Sequence, residues 1–302
     1  MNHVERNIDK EMLLPKSDAP ERIFDIPEEL KRRVPFLKNA PVRGAPALGS
    51  GPVSKVARTY DTIIGAYPSA LLVGSPAGRS ARQFFVWIGI LMGMFLFFPV
   101  AFSLIGDFYH FAAGDISLSD VIGTLLFLFL IVVDFLFVVW CINIIRRAPP
   151  DWPIMFNRHT RQISYFQVGF PHFLMFWQPV PVDLIVRSWD DAHFRTYKAI
   201  QFTGALFREM SEIAILWGDE DNPRRLKDVV RLGDTFNAGD GPCIQIWGHI
   251  RRYMEEGGPV LNDGESLRKP TNNNPPLRFP KYLEEAAGGA PLSSDQIEGK
   301  SR

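Results

Sequence analysis

The sequence predicts an α+β protein in which a two-helix transmembrane hairpin carries a cytoplasmic antiparallel β-sheet domain closed by a C-terminal amphipathic helix. Three observations predict it. Residues 83–106 contain no charged side chain, and residues 121–145 contain one, Asp134. Each block exceeds the ~20 apolar residues that cross a bilayer core about 30 Å thick. Downstream, short runs rich in Phe, Trp, Ile and Thr suit a half-buried sheet. The last regular pattern, GDGPCIQIWGHIRRYMEEGG, repeats Ile246, Trp247, Ile250 and Met254 at helical spacing.

Taken in order, residues 1–55 read as a flexible Pro/Gly-rich cytoplasmic arm. It holds one short helix that starts at Pro27 and stops before Pro35, because proline suits the first turn of a helix and blocks its interior. Lys31, Arg32, Arg33, Lys38 and Arg43 in this arm suit anionic lipid headgroups. Residues 56–82 include TIIGAYPSALLVG, too short to span and broken by Pro68, and read as strand that joins the later sheet.

Residues 83–106 form the first predicted span, residues 107–120 a periplasmic loop and residues 121–145 the second span. The loop carries Asp107, Asp115 and Asp120 but no Lys or Arg, whereas Arg79, Arg82, Arg146 and Arg147 flank the hairpin. The positive-inside rule therefore places both termini in the cytoplasm. Cys141 and Cys243 then lie on the reducing side, where a structural disulfide is not expected.

Residues 146–261 are the predicted cytoplasmic domain. PIMFNRHTRQISYFQ reads as a β-hairpin around residues 157–161, and further strands are expected at 173–177, 184–189, 197–206, 212–217 and 229–232. Asp240 to Pro242 starts the closing helix, and Gly257, Gly258 and Pro259 stop it. Residues 262–302, with KPTNNNPP and GGAPLSSDQ, lack core-forming side chains and read as a disordered tail.

Charge balances at 33 Lys and Arg against 33 Asp and Glu, so no basic field points to nucleic acid. The motifs of phosphate cradles, nucleophile elbows and zinc proteases are absent. In WDDAHFR, Asp190, Asp191 and His193 suggest a metal, but no further ligands accompany them, and the stretch reads as a polar turn between strands. The expectation is a non-enzymatic protein without cofactor or metal. Trp189, Asp190, Asp191, His193, Arg251 and Arg252 are its candidate cytoplasmic interaction residues.

Within the membrane, Gly89 and Gly93 form a G-x-x-x-G that lets helix backbones approach, with Gly123 as a counterpart on the second span. Asp134 falls near the midplane, where a carboxylate costs on the order of 2.5–3.5 kcal/mol. At ~1.5 Å rise per residue, Arg146 is about 18 Å away along the axis, too far to pair. A neutral carboxyl is the least costly state. It can bond within the hairpin or a homo-oligomer, serve as a handle for a partner's helix, or belong to a proton path.

Several pieces together carry a resemblance: the Pro/Gly-rich start, the two spans, FNRHTRQISYF, the WDD step at 189–191 and IRRYMEEGGPVL. Over about residues 60–261 the chain resembles uncharacterised bacterial inner-membrane proteins often encoded beside type VI secretion spike and effector genes. That resemblance implies an immunity or accessory role whose protein partner is a toxin or secretion component, and it implies no catalytic residues. The order of hairpin, sheet and helix also resembles bacterial pleckstrin-homology-type domains, which implies a lipid- or envelope-sensing alternative.

Overall fold

The computed structural model describes residues 24–46, 53–75, 86–94, 97–100, 118–147, 152–169, 180–202, 207–236, 239–269 and 277–300, with a few isolated positions between them. The chain divides into two compact units. One comprises Met1–Ala77, Asp151–Phe166 and Leu184–Arg302; the other comprises Gly78–Pro150 and Gln167–Asp183.

The first unit is α+β, built on two antiparallel sheets. Strands β2 (Ile63–Ala66), β3 (Ala70–Val73), β4 (Ile154–Asn157), β5 (Gln162–Val168) and β6 (Val182–Ser188) lie side by side in chain order. The second sheet has the order β1-β7-β8-β9, from β1 (Arg43–Pro46), β7 (His193–Phe202), β8 (Phe207–Gly218) and β9 (Leu226–Phe236). The expected hairpin at residues 157–161 is the β4–β5 turn, with Asn157 opposite Gln162. Residues 63–73 supply β2 and β3, and β3 pairs with β4 across the whole intervening apolar stretch. The strand expected at residues 173–177 falls largely outside the described residues, and Met175 within it sits in a turn.

Strand β8 shows why its sequence, IAILW, is apolar without a break. Side chains alternate between the faces of a strand, and here both faces are covered. Ile213, Ile215 and Trp217 point into the main core with Ile163, Phe194 and Trp247. Ala214 and Leu216 point outward, onto Phe24, Phe36 and Leu37.

That outer cover corrects the expectation of a flexible arm for residues 24–46. Helix α1 (Glu28–Arg33) follows Pro27 as foreseen, and a 3-10 turn runs over Pro35–Lys38. Strand β1 then pairs with the edge of β7, from Arg43 opposite Thr196 to Pro46 opposite His193. Three apolar side chains hold the segment down even though its surroundings are rich in proline.

The second unit contains the apolar helices. Helix α2 (Val86–Val100) is short, and α3 (Leu118–Arg147) contains Val121–Ile144, the one described helix long and apolar enough to cross a membrane. Leu125, Leu126, Phe129, Val132 and Phe135 of α3 are exposed.

Helix α4 (Gly241–Glu256) ends at Gly257, whose φ of 66° is the left-handed geometry of a glycine C-cap. It is buried on more than its apolar stripe. Ile246, Ile250 and Met254 join the core, while Gln245 accepts from the Tyr60 hydroxyl at 2.5 Å, and Gly248 packs near Val53.

The expectation of a disordered tail also fails for the described residues 277–300. Helices α5 (Lys281–Ala286) and α6 (Ser294–Lys300) return to the sheet. The Ser69 N–H donates to Ala287 O at 2.9 Å, the Leu292 N–H donates to Ala66 O at 2.8 Å, and Ile297 reaches the main core. Four spaced side chains, Phe279, Leu283, Ala287 and Ile297, are enough to anchor the segment.

Candidate functional site

The WDD step folds into the turn between β6 and β7, and its three residues have different roles. Trp189 is fully buried, with its ring 5.2 Å from Trp247 and edge-on to Phe156. Its indole N–H donates to Glu255 Oε1 on the last turn of α4. Trp189 is therefore a core residue rather than a surface for a partner. Asp190 is exposed and accepts from Arg161 Nε at 2.8 Å and Nη2 at 2.5 Å. Asp191 is exposed beside it.

Arg161 is the residue that assembles this end of the domain. It adopts φ of 53°, unusual for a residue with a side chain, as the β4–β5 turn closes. Its guanidinium also donates to Glu255 Oε1 at 2.9 Å, so one arginine joins two turns and a helix end. These bonds hold its charge firmly. Sequence inspection missed Arg161 and Glu255 because 94 residues separate them. No local spacing marks such a pair.

His193 does not join the aspartates. It packs edge-on to Phe24 at 5.2 Å, and its Nδ1 is buried without a hydrogen-bond partner among the described residues. Burial lowers its pKa, the Arg195 charge lowers it further, and Asp191 opposes them. Among the described residues no three His, Cys, Asp or Glu side chains stand together in a way that could hold a metal ion.

Arg252 donates to Lys55 O at 3.2 Å, and Arg251 is half-buried with its Nε unpartnered among the described residues. The nearby turn also offers Arg158, whose guanidinium lies over the Tyr253 ring at 5.0 Å, and the exposed His159. This end of the domain thus presents charge and hydrogen-bonding groups on a rigid frame.

His249 is structural. Its Nε2–H donates to Val260 O at 3.0 Å, which leaves Nδ1 to accept from Asn262 Nδ2 at 3.4 Å. Burial holds its pKa below the ordinary 6.5. The unfolded chain therefore binds more protons as pH falls below 6.5, and stability declines there until the folded value is passed. A His249→Gln variant should lose less Tm than the parent between about pH 7.5 and about pH 5. Equal losses would remove His249 from the account.

In the second unit, Gly89 and Gly93 face α3. A Cβ added at Gly89 would stand 3.1 Å from Cys141 Cβ, and one at Gly93 would stand 3.5 Å from Val138 Cγ2. Among the described residues Gly123 does not join this seam, since a Cβ there would meet none of them within 4 Å. Asp134 precedes Val138 and Cys141 by four and seven residues, which puts it on their helical face. It is only 9% exposed, and its Oδ1 has no hydrogen-bond partner among the described residues.

Compared with known proteins, residues 129–279, half of the chain, match a family of unknown function (DUF6708). No curated protein and no solved structure matches the chain.

Proposed function

The chain belongs to the DUF6708 family, and we propose that it is a non-enzymatic, membrane-anchored binding protein of the bacterial inner membrane. In this reading α2 and α3 form a hairpin with both termini in the cytoplasm. The cytoplasmic domain engages a protein partner, a toxin or component of a type VI secretion system, as an immunity or accessory protein. The observation that carries the reading is α3. Its 24-residue apolar stretch, Val121–Ile144, leaves Leu125, Phe129, Val132 and Phe135 outside any protein core. Exposed apolar side chains in that number suit lipid and not water. The polar frame around Arg161, Asp190 and Glu255 offers the partner a preorganised surface.

Genetics tests the partner. Deleting the gene should sensitise cells to the toxin encoded beside it or reduce secretion. Full resistance with normal secretion would overturn this role.

Asp134 extends the proposal into the membrane, as a polar contact in the hairpin, in a homo-oligomer or with a partner's helix. Asp134→Leu should lower the yield of crosslinked oligomers several-fold. An unchanged yield would confine the carboxyl to the hairpin itself.

A second reading, a lipid- or envelope-sensing module, is favoured by the order of antiparallel strands closed by α4, which resembles pleckstrin-homology-type domains. Arg43 cannot serve it, because its guanidinium is buried against Asp240. Lys31, Arg32, Arg33 and Lys38 remain. For the full chain in nanodiscs, amide exchange over residues 31–38 should slow with anionic lipid if this reading holds, and should not change with lipid charge if it fails.

A further inference from the structure

We propose that the cavity between the N-terminal cover and the outer face of β7 and β8 is a binding site for a small organic monoanion, a carboxylate with an apolar body, held by Arg195. Every residue of this site lies within the sheet unit, so the inference does not rest on the membrane reading.

The topology makes the cavity. Phe194 of β7 enters the main core, so Arg195 and Tyr197 point to the outer face, with Ala214 of β8 opposite Arg195. The cover crosses that face and is tied down at both ends. At one end the Asp25 N–H donates to Arg224 O at 2.6 Å, and the Leu226 N–H donates to Asp25 O at 3.0 Å. At the other, Asn39 Nδ2 donates to Lys198 O at 3.0 Å, and the Val42 N–H donates to Thr196 O at 2.8 Å. Between these ties lies a cavity of about 400 Å³, walled by Phe24, Ile26, Leu37, Tyr197, Leu216 and Arg195. Protein interiors close-pack and leave few voids larger than a water molecule. This volume falls instead in the range of small-ligand sites, about 300–1,000 Å³.

The charges select the ligand. Arg195 is only 6% exposed, although it stands on the outer face of the sheet. It lies across Gly44 of the neighbouring β1, where an added Cβ would stand 2.5 Å from Arg195 Cδ. Its Nη1 donates to Phe194 O at 2.7 Å, which fixes the guanidinium further. The charge is felt on both sides: it adds to the burial that lowers the His193 pKa and opposes the burial that raises Tyr197 to about 12. A guanidinium stays charged when buried, and its field is stronger there than in water. Asp25, Glu28, Lys31 and Lys38 also border the cavity. Lys31 bonds Glu28 at 2.6 Å, and Asp25, Glu28 and Lys38 are exposed to screening by solvent. Among the bordering residues, the buried charge is thus that of Arg195. A single carboxylate matches it, because arginine and carboxylate pair through parallel hydrogen bonds. The rim acids Asp25 and Glu28 oppose a second negative charge, which favours a monoanion over a phosphate dianion. Phe24, Ile26, Leu37 and Leu216 take the apolar body.

The test uses the full chain in phosphatidylcholine nanodiscs, with empty nanodiscs as the blank. Two fluorinated acids, para-trifluoromethylcinnamate and trifluorooctanoate, and their neutral amides are titrated and followed by fluorine NMR line broadening. At least one acid should bind saturably with a Kd of about 1 mM or tighter, and its amide about tenfold more weakly. Arg195→Met should weaken the acid about tenfold and bring it level with the amide. Ala40→Trp, which fills the cavity from its exposed rim, should weaken acid and amide alike. That variant leaves the buried wall intact and keeps the result readable if Arg195→Met does not fold. Equal binding of acid and amide, acid binding unchanged by Ala40→Trp, or no saturable binding of either acid would each overturn the proposal.

Discussion

Trp189→Ala should destabilise the sheet unit by about 3–5 kcal/mol, against total stabilities of about 5–15 kcal/mol for ordinary domains. Two effects combine. The change empties space between Trp247 and Phe156 in the middle of the core. It also removes the indole donor from Glu255, leaving that carboxylate with Arg161 as its donor among the described residues. Denaturant unfolding measures the loss directly. Asp191→Ala, two residues along on the exposed side of the same turn, should stay within about 0.5 kcal/mol of the parent. A contact residue would show the reverse pattern, with partner binding lost and stability kept.

The second large effect is expected at Arg43. Its Nε donates to Asp240 Oδ2 at 2.7 Å, and both side chains are buried. This pair joins β1 to the residue that precedes α4. Removing one partner leaves an uncompensated buried charge, so Arg43→Ala should cost about 3–5 kcal/mol. Replacing both, as Arg43→Met with Asp240→Leu, should recover much of that loss, because paired desolvation roughly cancels paired attraction. If Arg43→Ala leaves the unfolding midpoint unchanged, residues 24–46 are not a fixed part of the fold.

Elements whose signals are local were legible in the sequence. Proline at 27 and 35 marked α1, the Asn157 turn marked β4 and β5, and Gly257 marked the end of α4. Each rests on a backbone preference expressed within a few residues. The N-terminal cover and the C-terminal helices were not legible, because their anchors are sparse. Phe24, Phe36 and Leu37 acquire meaning only against Ala214 and Leu216, well over a hundred residues away. Ile297 and Leu283 sit in polar surroundings whose average composition suggests a chain without a core. Ile297 packs in a core of strand residues that the sequence does not place beside it.

The same distinction separates the candidate site residues. The WDD step was legible as a turn, but not the division between buried Trp189 and exposed Asp190. Period-two alternation stops at a turn, so it gives no rule for which side chain enters the core. Arg161, the residue that ties the turn to α4, stands in a stretch where nothing distinguishes it from Arg158. Asp134 was conspicuous because lipid tolerates few charges, and its burial on the Gly89 and Gly93 side of α3 follows from helical periodicity.

The proposed topology anchors the chain by two spans and puts its folded domain in the cytoplasm. Site-directed thiol labelling of intact spheroplasts tests it most directly, with a membrane-impermeant reagent and single cysteines at Gly114→Cys, His159→Cys and Tyr282→Cys. Labelling from outside is expected at 114 alone, with 159 and 282 labelled only after lysis, and the protein is expected to resist alkaline carbonate extraction. Labelling of 159 or 282 in intact spheroplasts, or release of the protein by carbonate, would contradict it.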